Sequence, residues 1–174
     1  MLRLDRRAKY LLAALSTSDT LVMHLGMSGS FRVERSGEAP VKAGKHDHVV
    51  LQMSSGLTVT FNDPRRFGFM DLLPPRELAE HRALSHLGPE PLSAAFDAAA
   101  LARACRGKKT SLKAALLDQR VVAGLGNIYV SEALHRARLS PQRQASTIAA
   151  ASGAPRPAAK RLAGAPEAVA IVDA

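Results

Sequence analysis

The stretch "LTVTFNDPRRFGFMDLL", residues 57–73, reads as a strand, a break and a second strand. Thr58, Thr60 and Asn62 alternate with Val59 and Phe61, the period of two expected of a half-buried strand. Asp63-Pro64 interrupts the alternation as a turn does, and Arg65-Arg66-Phe67 follows before Gly68. "FGFMDLL" (67–73) then resumes as strand. Upstream, "AKYLLAAL" (8–15) and "DTLVMHL" (19–25) are apolar runs joined across Ser16-Thr17-Ser18. "SFRVE" (30–34) sets Phe31 and Val33 on one side and Arg32 and Glu34 on the other. A polar loop over 35–45 leads into "HDHVVLQM" (46–53), and Ser54-Ser55-Gly56 turns the chain back. Short strands at close spacing predict an antiparallel sandwich or barrel.

Pro74-Pro75 ends that regime, and helical signals follow. "PRELAEHRAL" has Pro at a helix start and Glu in its first turn. "FDAAALARAC" runs into the basic "RGKKTSLK" (106–113). In "TSLKAALLDQR", Leu112, Ala115, Leu116 and Gln119 form one stripe, with Thr110 expected as N-cap. Val130, Leu134 and Ala137 recur at helical spacing in "NIYVSEALHRAR". The fold class expected is α+β, with β-domain residues 1–74 and helical residues 75–144. Residues 145–174, rich in Ala and Pro, are expected to bury little and to be mostly disordered or weakly helical.

Lys and Arg total 24 against 15 Asp and Glu, a net charge of +9 and a sequence pI near 10.4. Such an excess suits an anionic partner, of which nucleic acid is the commonest; the plain alternative is a generally Arg-rich composition. Cys105 is the only cysteine, which excludes a disulfide framework and a cysteine-built zinc site within the chain. No apolar run reaches the ~18 residues of a membrane span, so a soluble protein of a reducing compartment is expected. Aromatics are 4% with no Trp, which disfavours a single-strand binder built on stacked rings.

In "HLGMSGSFRV" (24–33), glycines flank Met27 and Ser28 and mark a turn tip. Met27 is either a core gap-filler or, with Arg65 and Phe67, one of three side chains protruding from two turns. Apolar wedges pushed between base steps unstack and kink duplex DNA, and enzymes acting on a base must overcome that unstacking. The competing reading of Arg65-Arg66-Phe67 is a solvated basic turn. "KHDH" (45–48) places His46 and His48 on one face, but no third metal ligand follows at suitable spacing. A phosphate-contacting His46 fits the charge better. Lys109 and Lys113, at i and i+4 of a helix start, are expected to share a face and to suit a phosphate; the competing reading is an ordinary solvated helix end. In "GLGNIYVSE" (124–132), Gly124 and Gly126 allow a tight turn, and Asn127 is expected as an N-cap able to reach a phosphate.

Together these motifs resemble the formamidopyrimidine-DNA glycosylase family of bacterial base-excision enzymes. "RRAKYLL", "HLGMSGSFRV", "KHDHV", "DPRRFG", "HLGPEPL" (86–92), "KKTSLK" and "GLGNIYVSEALHRARLSP" (124–141) occur in family order over residues 6 to about 143. The resemblance implies a β-sandwich catalytic domain, a helix-two-turn-helix domain and a zinc finger, acting on oxidised purines (8-oxoguanine, formamidopyrimidines) or abasic sites in double-stranded DNA. It implies base excision and strand cleavage by β/δ-elimination through a Schiff base. Met27, Arg65 and Phe67 match the residues that fill the gap left by the flipped nucleotide, and Lys9 the lysine assisting β-elimination. His46, Arg66, Lys109, Lys113 and Asn127 match positions that hold DNA phosphates. A monomer in the bacterial cytoplasm, at the nucleoid and without a membrane partner, is implied.

The family's nucleophile is an N-terminal proline followed by a glutamate acid, whereas this chain begins Met1-Leu2-Arg3. A terminal amine suits that chemistry because its pKa lies near ~8. The four-cysteine zinc finger has no counterpart either, so no cofactor is expected in this chain. The expectation is a chain truncated at both ends and inactive alone. The alternative is a non-catalytic module that binds damaged DNA; a misfolded remnant with an unpaired sheet edge is a third reading.

Overall fold

A computed structural model of the chain describes residues 1–35 and 44–165. Most of the polar loop expected at 35–45, and the tail from 166 on, lie outside the described residues. The chain divides into two compact units, Met1–Leu78 and the residues from Ala79 on.

The first unit holds seven strands: β1 (Arg3–Arg7), β2 (Tyr10–Ala14), β3 (Thr20–His24), β4 (Ser30–Arg35), β5 (Asp47–Gln52), β6 (Leu57–Asn62) and β7 (Phe69–Leu73). They form two antiparallel sheets, ordered β1-β2-β3-β7 and β4-β6-β5. Leu4, Leu11 and Met23 from one sheet, and Phe31, Val50 and Val59 from the other, line a shared cavity of about 600 Å³. The two sheets therefore face each other across an apolar layer, as in a sandwich.

The expected β strands are present, with two differences. Four of the five residues of β1 are charged, so no apolar alternation announces it; pairing with β2 and the bond from Leu2 N–H to the Ala14 carbonyl hold it. Thr58 and Thr60, expected on a solvated face, are buried. β6 is the central strand of its sheet, so both threonines are flanked on each side, Thr58 by Glu34 and Gln52 and Thr60 by Arg32 and Val50.

A single helical turn, α1 (Pro75–Leu78), closes the first unit, where a longer helix was expected. None of its residues is buried, so it lacks the packing that sustains a short helix. The second unit contains α2 (Ala98–Cys105), α3 (Leu112–Leu117), α4 (Asn127–Arg136) and α5 (Pro157–Ala163), with a 3₁₀ turn at Ala145–Ile148. Asp97 caps α2 by accepting from the Ala100 N–H. Leu101, Leu112, Leu116, Val130, Leu134 and Leu162 join one contiguous core. Each such residue contributes about 1.5–3 kcal/mol on full burial.

That core corrects the reading of the Ala-rich segment. Ala145, Ile148, Ala149, Ala158, Ala159, Leu162 and Ala165 are all buried in it. Small side chains let α5 approach α2 closely, so the segment packs without the leucine periodicity that marks a wider helix face. Pro157 occupies a favourable place in the first turn of α5. No helix among the described residues is long and apolar enough to cross a membrane.

Candidate nucleic-acid interface

Topology brings the two glycine-bearing turns of the first unit together. Residues 25–29 carry the chain from β3 in one sheet to β4 in the other, and residues 63–68 carry it back from β6 to β7. β3 and β7 are neighbours, with His24 opposite Phe69; β4 and β6 are neighbours, with Ser30 opposite Asn62. The two crossovers must therefore run side by side. They do so in backbone contact: a Cβ on Gly26, at φ +63°, would lie 2.6 Å from the Phe67 carbonyl carbon. One on Gly68 would meet the His24 carbonyl oxygen at 2.7 Å, so glycine is required on both sides of the seam.

Asp63, fully buried, opens the second crossover and reaches the first. Its Oδ1 accepts from Ser28 Oγ at 2.6 Å and from the Arg65 N–H at 3.3 Å; its Oδ2 accepts from the Gly68 N–H at 2.8 Å. The Arg65 N–H also reaches Ser28 Oγ at 3.2 Å. The Ser28 hydroxyl and then the Gly68 amide hold the Asp63 carboxyl below the ordinary carboxylate range. Its backbone N–H donates to the His46 carbonyl at 3.0 Å, and its carbonyl lies 2.8 Å from His48 Nε2.

Met27 and Phe67, by contrast, are 74% and 55% exposed. Neither is core, which removes the gap-filler reading of Met27. The Arg65 guanidinium lies over the Phe67 ring, 4.7 Å from its centroid, a cation–π contact. Arg66 adopts φ +55°, a left-handed conformation that a side chain takes only where its surroundings impose it.

At the same end of the first sheet, Tyr10, His24 and Phe69 are register partners on β2, β3 and β7. Their rings pack, with centroids 5.0 Å apart for Tyr10–His24 and 5.9 Å for His24–Phe69. Lys9 lies in the turn just before Tyr10 and is exposed. Burial, and then the charge of Lys9, lower the pKa of His24. His24 Nδ1 accepts from the Gly26 N–H at 3.0 Å, which leaves Nε2 to carry the proton of the neutral ring. The structure thus gathers Lys9, Met27, Arg65, Arg66 and Phe67 at one end of the first unit. His46, half-buried, joins them through its backbone bond to Asp63.

Lys109, Lys113 and Asn127 belong to the second unit. Lys113 is on α3, where its Nζ donates to Ser131 Oγ of α4 at 3.3 Å. Lys109 precedes the helix, so the two lysines do not share a helical face as expected. The N-cap is Ser111 rather than Thr110; its hydroxyl accepts from the Ala114 N–H at 3.2 Å. At α4 the cap comes one residue earlier than expected: Gly126 is the N-cap, and Asn127 is the first helical residue, exposed. Gly126 supplies no side-chain cap to the first turn of α4. Gln119, placed by the sequence on the α3 stripe, lies past the helix end. Its amide donates to the Leu117 and Leu125 carbonyls, both at 3.0 Å, and accepts from the Gly124 N–H at 2.8 Å, fixing the loop that enters α4. Among the described residues no group of three or more His, Cys, Asp or Glu could hold a metal ion.

The bonding roles of Asp63, Ser28, His24 and Gln119 escaped the sequence reading. Asp63-Pro64 signals a turn, but its partner across the crossovers is 35 residues away and leaves no local trace.

Two family models match the chain. The formamidopyrimidine-DNA glycosylase N-terminal domain matches residues 1–70, and the formamidopyrimidine-DNA glycosylase H2TH domain matches residues 87–154. The chain is 62% identical over 169 residues to formamidopyrimidine-DNA glycosylase of Rhodopseudomonas palustris (strain BisB18), covering 91% of this chain and 57% of that protein. It is 63% identical over 168 residues to the same enzyme of Bradyrhizobium sp. (strain ORS 278), with the same coverage. Among solved structures it is similar to the MutM (Fpg) protein of Thermus thermophilus, with a TM-score of 0.82 and 41% identity, over 98% of this chain and 59% of that one. The Lactococcus lactis formamidopyrimidine-DNA glycosylase bound to DNA containing an AP site matches with a TM-score of 0.81 and 29% identity, over 95% and 60%. The chain thus spans about 57% of the length of the curated relatives it matches.

Proposed function

The chain belongs to the formamidopyrimidine-DNA glycosylase family, and on that premise we propose that it serves DNA base-excision repair by recognising oxidised purines and abasic sites in duplex DNA in the bacterial cytoplasm. The activity proposed for the protein is that of its family: removal of the damaged base and cleavage of the abasic strand by β/δ-elimination through a Schiff base. One observation carries the reading. Two crossovers, tied to each other at Asp63, present Met27, Arg65 and Phe67 to solvent at the end of the sheet where Lys9 lies.

The roles follow from the chemistry of each group. Phe67 and Met27 can replace stacking lost when a nucleotide leaves the helix, and Arg65 can hydrogen-bond the base left without a partner. Lys9 supplies an amine beside that gap. Attack of an amine on the C1′ aldehyde of an abasic sugar expels water and forms an imine; loss of a C2′ proton then lets the 3′ phosphate leave. His46, Arg66, Lys109, Lys113 and Asn127 are assigned to backbone phosphates, the contacts that position a protein without reading sequence.

Two measurements on one labelled duplex test this. In an anisotropy titration the chain should bind a duplex bearing one tetrahydrofuran abasic analogue at least about tenfold more tightly than the intact duplex, the scale of an unstacking cost already met by the lesion. Equal affinities contradict the proposal. Borohydride trapping on a natural abasic site should give a covalent adduct that Lys9→Ala diminishes. Preference without any adduct would leave a damage-binding module in place of a lyase.

A further inference from the structure

We propose that Asp63 is a positioning residue that, through Ser28, locks the two crossovers into one rigid tool, so that Met27 and Phe67 meet the duplex together. The inference rests on the reading of these turns as a wedge.

Asp63 uses every polar group it has. Oδ2 and one bond of Oδ1 stay inside its own crossover, on the Gly68 and Arg65 amides. Its carbonyl accepts from the Arg66 N–H at 3.4 Å and lies against His48, and its N–H goes to His46. These bonds suffice to shape the turn. The bond from Ser28 does something else: it is the side-chain contact from the Met27 crossover to this carboxylate, and at 2.6 Å it is the shortest of the set. A turn that only needed shaping would not require a hydroxyl from a segment 35 residues upstream.

The arrangement has a purpose if both tips enter the same gap. Side chains ordered only on binding cost affinity, and loops fixed beforehand avoid that cost. Ser28 adjoins Met27, and Asp63 lies four residues before Phe67 in the chain, so the Ser28 hydroxyl, donating to Asp63 and accepting from the Arg65 N–H, couples the bases of both projections. The Gly26 seam adds contact but no direction, whereas a hydroxyl on a buried carboxylate fixes orientation.

Ser28→Ala separates this role from turn shaping, because it leaves the Asp63 carboxylate with its partners in its own crossover. In the anisotropy titration with the abasic-analogue and intact duplexes, Ser28→Ala should lower the preference for the abasic duplex about tenfold, the scale of ordering one or two more side chains on binding. Its affinity for the intact duplex should stay that of the wild type, its melting temperature should fall only by the loss of one bond to a buried carboxylate, and Ser28→Thr, which keeps the hydroxyl, should restore the preference. Asp63→Asn should lose the preference as well, since an amide turns a donor toward one of the N–H groups that the carboxylate accepts from. Ser28→Ala remains informative if Asp63→Asn fails to fold. A wild-type preference retained by Ser28→Ala, or lost equally in Ser28→Thr, overturns the coupling and leaves the wedge standing. A wild type without preference overturns the wedge and the coupling together.

Discussion

The Arg65 guanidinium lies 4.7 Å from the centroid of the Phe67 ring, and the two side chains project from a turn whose neighbouring residue Asp63 is fully buried. A buried base beneath exposed tips is what an inserting element needs, since the tips must enter a duplex without dragging the turn apart. Phe67→Ala is therefore expected to weaken binding to abasic-analogue duplex about tenfold or more and to intact duplex by less than about twofold, because a ring of this size is worth a few kcal/mol where it replaces stacking. Anisotropy titrations of both duplexes check this, and equal losses on the two would make Phe67 an ordinary surface residue.

Gly26→Ala should separate the crossovers. The new methyl group meets the Phe67 carbonyl carbon at 2.6 Å and the Gly68 nitrogen at 2.7 Å, and φ +63° already disfavours a side chain. A loss on the order of 2–4 kcal/mol is expected, read by urea denaturation of the full chain. Gly56→Ala is the control: it also carries positive φ, but nothing lies near its added carbon, so it should cost about 1 kcal/mol.

His24 supplies a pH dependence with a defined sign. Its folded-state pKa lies below 6.5, so the unfolded chain takes up the proton more readily. The stability that neutral His24 contributes is complete above about pH 6.5 and is lost as pH falls through the lowered value, when protonated Nδ1 can no longer accept from Gly26. His24→Asn keeps an acceptor near that atom and does not titrate. The stability difference between wild type and His24→Asn should narrow between pH 7.5 and pH 5 in denaturant titrations; a constant difference contradicts the assignment.

Lys109→Gln and Lys113→Gln should weaken binding to every duplex and flatten the slope of log affinity against log salt by about one unit each, as expected for one phosphate contact apiece. A slope unchanged by either substitution removes that lysine from the interface.

The packing of α5 can be tested without DNA. Leu162 is 2% exposed within the helical core, so Leu162→Ala should cost about 2–5 kcal/mol in denaturant unfolding. A negligible cost would return the segment to the unpacked state that its composition suggests.

How far the sequence discloses these features depends on the reach of each signal. Period-two alternation located β4 and β6, where one face is apolar over consecutive residues. β1 carries no such alternation and forms because β2 offers it a partner. The helix starts were off by one at Ser111 and Gly126, because Thr110 and Asn127 have equally good capping chemistry and only backbone angles decide between neighbours. The burial of α5 was missed for a packing reason: alanines bury well only against a closely fitting partner, which composition does not reveal. The two turns themselves were legible from their glycines and Asp63-Pro64, whereas the exposure of Met27 and Phe67 was not. Nor was the mutual attachment of the turns, because Ser28 and Asp63 meet only once the two sheets have formed.

Insertion itself is measured most directly with 2-aminopurine placed next to the base opposite a single abasic analogue, its emission recorded as protein is added. At saturation the wild type should raise that emission, because inserted side chains unstack the probe, while Met27→Ala/Arg65→Ala/Phe67→Ala should bind without raising it. An unchanged signal from saturating wild type, or the same rise from the triple variant, would contradict insertion by these three residues.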